Sequence, residues 1–247
     1  MHCQKTHTNF ANIIFNIFYM KTKHIFYLTI ISIAFVFSGC LSNDYPAPSY
    51  ISSIGTAVNP DSSSLFTLNG DDGIQYIVTA SDYPDFKPAS DTRLIVLFDL
   101  INHDDEAKQV EIHLTGASIL TTKTLLPLTK VVADTVGNDR ISDSQMYIAG
   151  RYLTMNFNFY ATGNILHYFN MVRDSILAPN SDTIKLEFRH KSNNDGMSQL
   201  YNLKMCFDIS ELKDYSANPD SIPLVISVLE MDNGSTVDKK YNLMYKF

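Results

Sequence analysis

Four polar residues in the second half of the chain have the types and spacing for proton chemistry: His167, Arg189, His190 and Asp195. A histidine titrates near neutral pH, and a carboxylate beside it fixes its tautomer, which is the pairing that general acid–base catalysis requires. An arginine close to them supplies a planar fork for binding a carboxylate. Glu187, Arg189 and His190 fall within one strand-like run, where alternation sends His190 to the face opposite Arg189. The plainer expectation is structural: Arg189 pairs with a neighbouring acid, and His167 and His190 make hydrogen bonds. No serine nucleophile with a base and an orienting group can be assembled from the sequence. The chain therefore reads as non-enzymatic, and a hydrolase built on His167, Arg189 or His190 ranks third among the functional readings.

Other reactive types are sparser. His103 and His113 lie too far apart for a local metal pair, and there is no Cys-x-x-Cys. Asp71-Asp72, Asp104-Asp105-Glu106 and Asn193-Asn194-Asp195 lack the spacing of a calcium loop and read as solvated turns. No metal or cofactor is expected. Cys206 sits in Leu203-Lys204-Met205-Cys206-Phe207 and reads as a buried apolar thiol. The chain has 14 Tyr, 15 Phe and no Trp. Aromatics favour strands, so core is their default place; Tyr152 and Tyr160, at strand ends, are candidates for an exposed platform that binds a sugar or a protein. The candidate binding surface is thus Tyr152, Tyr160, His167, Arg189 and His190.

Cys40 carries a different chemistry. Lys21 and Lys23 precede the apolar run Ile25–Phe37, and Ser38-Gly39 places two small residues before Cys40. This is the layout of an exported lipoprotein: a positive start, a short apolar core and a small-residue cleavage site ending on the cysteine that takes the lipid. The core is shorter than the ~20 residues that a membrane-spanning helix needs. Residues 1–19 read as an upstream extension before a start at Met20, 20–39 as the signal peptide, and 40–48 as a stalk stiffened by Pro46 and Pro48. The expected location is the cell envelope, lipid-anchored at the outer membrane and facing either side.

Export changes the charge. Residues 1–39 hold Lys5, Lys21, Lys23 and no acid, so 16 of the 19 basic residues and all 26 acidic ones lie beyond them, a formal charge of −10. The basic residues are scattered, which argues against a nucleic-acid partner. With Cys40 lipidated, only Cys206 remains, and no intramolecular disulfide can form.

From residue 49 onwards the pattern is all-β. Strands are expected at 51–58, 65–68, 74–78, 94–100 and 110–120, with Asn69-Gly70-Asp71-Asp72-Gly73 supplying the positive-φ residues of a tight hairpin. Five short strands without a helix suit a small closed barrel of OB type, placed at 49–128. Residues 129–140 read as a polar connector opening the second domain, 129–247. There Leu153, Met155, Phe157 and Phe159 alternate with Tyr152, Thr154, Asn156 and Asn158, sending two residue classes to opposite faces. Further strands at 165–172, 183–190, 199–207, 222–229 and 240–247 point to an antiparallel β-sandwich. Residues 208–212 read as a single helical turn.

The second half also resembles a known family. Val136-Gly137-Asn138-Asp139-Arg140-Ile141, Met146-Tyr147-Ile148, the run Arg151–Tyr160, His167-Tyr168-Phe169-Asn170-Met171-Val172 and Leu186-Glu187-Phe188-Arg189-His190, in that order, resemble the NigD-like lipoproteins of Bacteroidetes. The departures are Tyr147 in place of Trp, Thr154 in place of Asn and Arg140 in place of Pro. The resemblance implies an OB-like barrel followed by a β-sandwich, and a founding member tied to bacteriocin immunity. It leads to a non-enzymatic binding or structural role, with a protein or peptide toxin as partner and a glycan as the alternative ligand. Asp-Ser/Thr-apolar triplets at Thr135, Ser175, Thr183 and Ser221 also resemble O-glycosylation acceptors of that bacterial group.

Overall fold

The computed structural model describes residues 51–58, 65–104 and 106–247. The expected signal, Cys40 and the stalk lie outside the described residues.

The first five strands close into a barrel in the order β1-β2-β3-β5-β4. They are β1 (Ile51–Val58), β2 (Phe66–Gly70), β3 (Gln75–Ser81), β4 (Arg93–Asp104) and β5 (Gln109–Ile119). All neighbours are antiparallel except β3 and β5, which run parallel. Alternation turns Leu94, Val96 and Phe98 of β4 inward against Leu68, Val78, Ile112 and Leu114, and these residues form the barrel core. The β2–β3 turn is set by its own polar groups: the Gly73 N–H donates to the Gly70 carbonyl at 3.0 Å and Asp72 Oδ1 accepts from the Ile74 N–H at 3.0 Å. Gly73 takes φ +81°, a conformation that an L side chain resists.

The rest is a two-sheet sandwich. One sheet has the order β14-β13-β11-β10-β7 and the other β6-β12-β9-β8. The strands are β6 (Thr122–Thr124), β7 (Leu126–Leu128), β8 (Asp143–Ala149), β9 (Tyr152–Ala161), β10 (Tyr168–Asp174), β11 (Ile184–Lys191), β12 (Gln199–Asp208), β13 (Ser221–Asp232) and β14 (Ser235–Lys246). Leu153, Met155 and Phe157 pack between the sheets with Phe169, Met171, Leu186, Phe188, Met205 and Phe207. The fold is all-β, an OB-like barrel followed by a β-sandwich, but the sandwich is mixed rather than antiparallel as expected: β11 runs parallel to β13, β10 to β7 and β12 to β6.

Several expectations change in detail. Residues 122–128, assigned with the barrel from the sequence, pair instead with β12 and β10 of the sandwich. The partners are distant and parallel, so no local pattern marks them. Residues Lys130–Val136 of the polar connector form a helix, α1, capped by the Thr129 hydroxyl, which accepts from the Val132 N–H at 3.2 Å. The turn expected at 208–212 is a 3₁₀ helix, Ser210–Tyr215. Its start is tied down by Asp208, which accepts from the Ser210 N–H.

Candidate functional site

Three connections meet at one end of the sandwich. The β9–β10 turn carries Thr162 and His167, the β11–β12 turn carries Asp195, and the segment after α1 carries Asp139 and Arg140. Asn193 and Asn194 adopt positive φ at the β11–β12 turn, as asparagine tolerates, and this curls Asp195 back toward the β9–β10 turn. Asp195 then accepts from the Thr162 N–H (2.8 Å), the Thr162 hydroxyl (2.6 Å), the Gly196 N–H (2.8 Å) and His167 Nε2 (3.0 Å). These donors, led by the Thr162 hydroxyl, hold its carboxyl well below the usual carboxylate range.

On the other side of His167, Nδ1 lies 2.8 Å from His190 Nε2, and His190 Nδ1 lies 3.2 Å from the Arg140 carbonyl. His190 points into the sandwich end because alternation along β11 sets it in line with Leu186 and Phe188. It stacks on Phe169 at 4.7 Å. Burial pushes its pKa down, and the nearby His167 adds to this, against the Arg140 carbonyl and Asp139. The side chains of His167 and Asp195 are 4% and 0% exposed, and His190 is 3% exposed.

The third connection depends on one glycine. Gly137 has φ +70°, and a Cβ there would lie 2.7 Å from the His190 carbonyl oxygen. Beyond it, the Asp139 N–H donates to that carbonyl at 2.8 Å, and Asp139 Oδ2 accepts from the Ser192 N–H and hydroxyl. Burial opposes ionisation of Asp139, but these Ser192 bonds outweigh it and lower its pKa. A cavity of about 350 Å³ opens beside the cluster, walled by Asn138, Tyr160, His190, Ser192, Asp195 and Met197.

Of the residues singled out in the sequence, His167, His190 and Asp195 are therefore brought together, with Tyr160 nearby. Arg189 is not: it faces away and pairs with Glu187 on its own strand. Tyr152 is a correction. It is 5% exposed, and the Arg93 guanidinium lies 4.8 Å from its ring centre, so it cannot serve as an exposed platform. Alternation showed that Tyr152 and Thr154 leave the sandwich core; it could not show that the barrel covers that face. The triplet residues Thr135, Ser175 and Thr183 are exposed and Ser221 is half-buried. His113 bonds Asp82 at 3.0 Å, and among the described residues no group of three metal-ligating side chains occurs.

A second polar cluster, which the sequence did not reveal, joins barrel to sandwich. Arg93, fully buried at the start of β4, grips Asp71 of the β2–β3 turn through Nη1–Oδ1 (2.6 Å) and Nη2–Oδ2 (2.5 Å). It also donates to Thr56 Oγ1 within the barrel (3.1 Å) and reaches the sandwich at Thr154 Oγ1 (3.2 Å) and Cys206 Sγ (3.5 Å), while the Tyr147 hydroxyl donates to Asp71 at 2.8 Å. Burial alone would lower the pKa of Arg93, but the Asp71 bonds more than offset this and raise it. Cys206 is buried as expected, yet among polar partners. The departures Tyr147 and Thr154 both belong to this junction.

The architecture defines a class: an OB-like barrel locked by a buried ion pair to a β-sandwich, whose end is built from three pinned connections. Residues 124–241 match the family model of the NigD-like C-terminal β-sandwich domain, which identifies the sandwich of this chain as a NigD-like domain. Solved structures share the whole architecture. One is a NigD-like immunity protein from Bacteroides caccae, 17% identical at a TM-score of 0.62, covering 80% of this chain and 99% of that one. Another, from Parabacteroides distasonis and provisionally described as toxin related, is 22% identical at a TM-score of 0.63, covering 79% and 93%. A third, from Bacteroides fragilis and provisionally described as a lipoprotein, is 16% identical at 0.58, covering 81% and 99%. No curated protein matches the chain.

Proposed function

We propose that this protein is a lipid-anchored, non-enzymatic binding protein of the cell envelope, tethered to the outer membrane through Cys40. Its role in this reading is immunity to a secreted protein or peptide toxin, with the loop-built end of the sandwich as the docking surface. The observation that carries a binding over a catalytic role is the wiring of the histidines. All four ring nitrogens of His167 and His190 face partners inside the protein, so neither ring is free to exchange a proton with a substrate. Around this wired base the tips are apolar and exposed: Leu166 at 66%, Met197 at 55%, with Ile165, Tyr168 and Leu200 close behind. Apolar side chains on fixed loops are the usual anchors of a protein interface. The structural likeness to proteins described as immunity and toxin-related supports the choice of partner.

Deleting the gene should sensitise cells to a toxin encoded nearby or made by kin. Restoring wild type should return resistance, and Cys40→Ala should fail to, while also losing incorporation of labelled fatty acid. Killing curves unchanged by the deletion contradict the immunity role. A glycan ligand is the second reading, favoured by Tyr160, Asn138 and Ser192 in one cavity wall; a glycan array without hits argues against it.

A further inference from the structure

The chain of contacts from Asp195 through both histidines to the Arg140 carbonyl has an acceptor at each end. Asp195 is held ionised and can only accept, and a backbone carbonyl can only accept. Between them lie three gaps, of 3.0, 2.8 and 3.2 Å. Each gap needs one hydrogen to be a bond rather than a contact of two lone pairs. Two neutral imidazoles carry only two hydrogens on nitrogen. The arrangement is fully bonded only when the pair holds a third.

The geometry also places that proton. A doubly protonated His167 donates Nε2–H to Asp195 and Nδ1–H to His190 Nε2. His190 then stays neutral and donates Nδ1–H to the Arg140 carbonyl. The reverse assignment would charge the ring stacked on Phe169, away from the carboxylate. The acids facing the pair are Asp195 from the β11–β12 turn and Asp139 from the segment after α1. β9 and β10 contribute the uncharged rings of Phe159 and Phe169, and Arg189 is turned away and paired.

We propose that the His167–His190 pair is a one-proton latch that regulates the proposed docking end: with the proton bound, the three connections are fully tied together, and without it one tie is lost. It rests on the reading of this end as a docking surface only for its consequence. The 3.2 Å gap to Arg140 is the longest of the three and the one expected to open. Opening removes one of the ties between the segment after α1 and β11, leaving the bonds of Asp139 to the His190 carbonyl and to Ser192, and loosens the bed beneath Leu166 and Met197. As pH falls through the histidine range, the latch closes and the tips become ordered; as it rises, they loosen.

The test uses the full chain alone, so it does not depend on any partner. Imidazole NMR with isotope-labelled histidine reads tautomer and charge directly. The expected low-pH form has His167 protonated on both nitrogens and His190 on Nδ1 only, with loss of one proton as pH rises. Hydrogen exchange, corrected for intrinsic rates, should show local opening at Asp139 and Ser192, whose N–H groups tie the segment after α1 to β11, becoming about fivefold more frequent across the transition, the weight of one hydrogen bond. His190→Asn should abolish that pH dependence while leaving the barrel's exchange unchanged. Should His190→Asn not fold, Asp195→Asn serves: without the anion the proton should leave at lower pH. Two neutral rings throughout the range from about pH 5 to 8, or exchange at Asp139 and Ser192 that ignores pH, would overturn the latch. A failed killing assay would bear on the immunity role and leave this result standing.

Discussion

The junction between barrel and sandwich and the loop end of the sandwich are both buried polar networks, but they use different cations. At the junction the cation is the Arg93 guanidinium, charged at any pH the protein meets and gripped by both oxygens of Asp71, one of which also accepts from the Tyr147 hydroxyl. At the loop end the cation is an imidazole, and its charge is conditional. The junction is suited to hold two domains in one fixed relation. The loop end is suited to change its tightness with conditions. A buried charge in this protein is therefore not one kind of feature: its permanence follows from which side chain carries it.

The comparison can be broken most forcefully at the junction. Arg93→Met strands Asp71 among buried groups, and removing one partner of such a pair costs about 3–5 kcal/mol; urea unfolding should show the loss at every pH from neutral to mildly acidic. A smaller loss is expected from Gly137→Ala. Its conformation belongs to glycine, and the new Cβ meets the His190 carbonyl, for about 2–3 kcal/mol by strain, with faster exchange confined at first to the loop end. Asp195→Ala should change the pH profile rather than the neutral-pH midpoint alone. The folded carboxyl is depressed, so its contribution is present above the ordinary carboxylate pKa of about 4 and is lost as pH falls toward its folded value. The wild type should therefore lose stability in acid that the variant has already lost. Arg189→Ala sits at the bottom of the scale: its pair with Glu187 is partly exposed, 17% and 43%, and such pairs contribute about 0–1 kcal/mol.

Strand alternation revealed the core faces well, because period 2 is a local signal: Leu153, Met155 and Phe157 are inside as the sequence implies. It said nothing about what covers the opposite face, which is why Tyr152 looked available. Arg93 was invisible for a related reason. An arginine at a strand start is ordinary until the hairpin that carries Asp71 folds back upon it. Short β6 and β7 leave no pattern because they pair in parallel with distant strands, and α1 is hidden because Asp134, Gly137, Asn138 and Asp139 make its segment read as a polar connector. At the loop end, the sequence named His167, His190 and Asp195 but not their connection, since a hydrogen-bonded chain through three separate connections exists only in the fold.

Docking at the loop tips, rather than anywhere on the body, is the central proposal. The direct measurement is a killing assay in the deletion strain, complemented with Leu166→Asp plus Met197→Asp. Both side chains are exposed, so each change should move stability by only about 0.5 kcal/mol, and melting and envelope levels should match wild type. Loss of resistance is expected from that variant and full resistance from Arg189→Ala. Full resistance from the double variant, at wild-type abundance, would contradict the proposal.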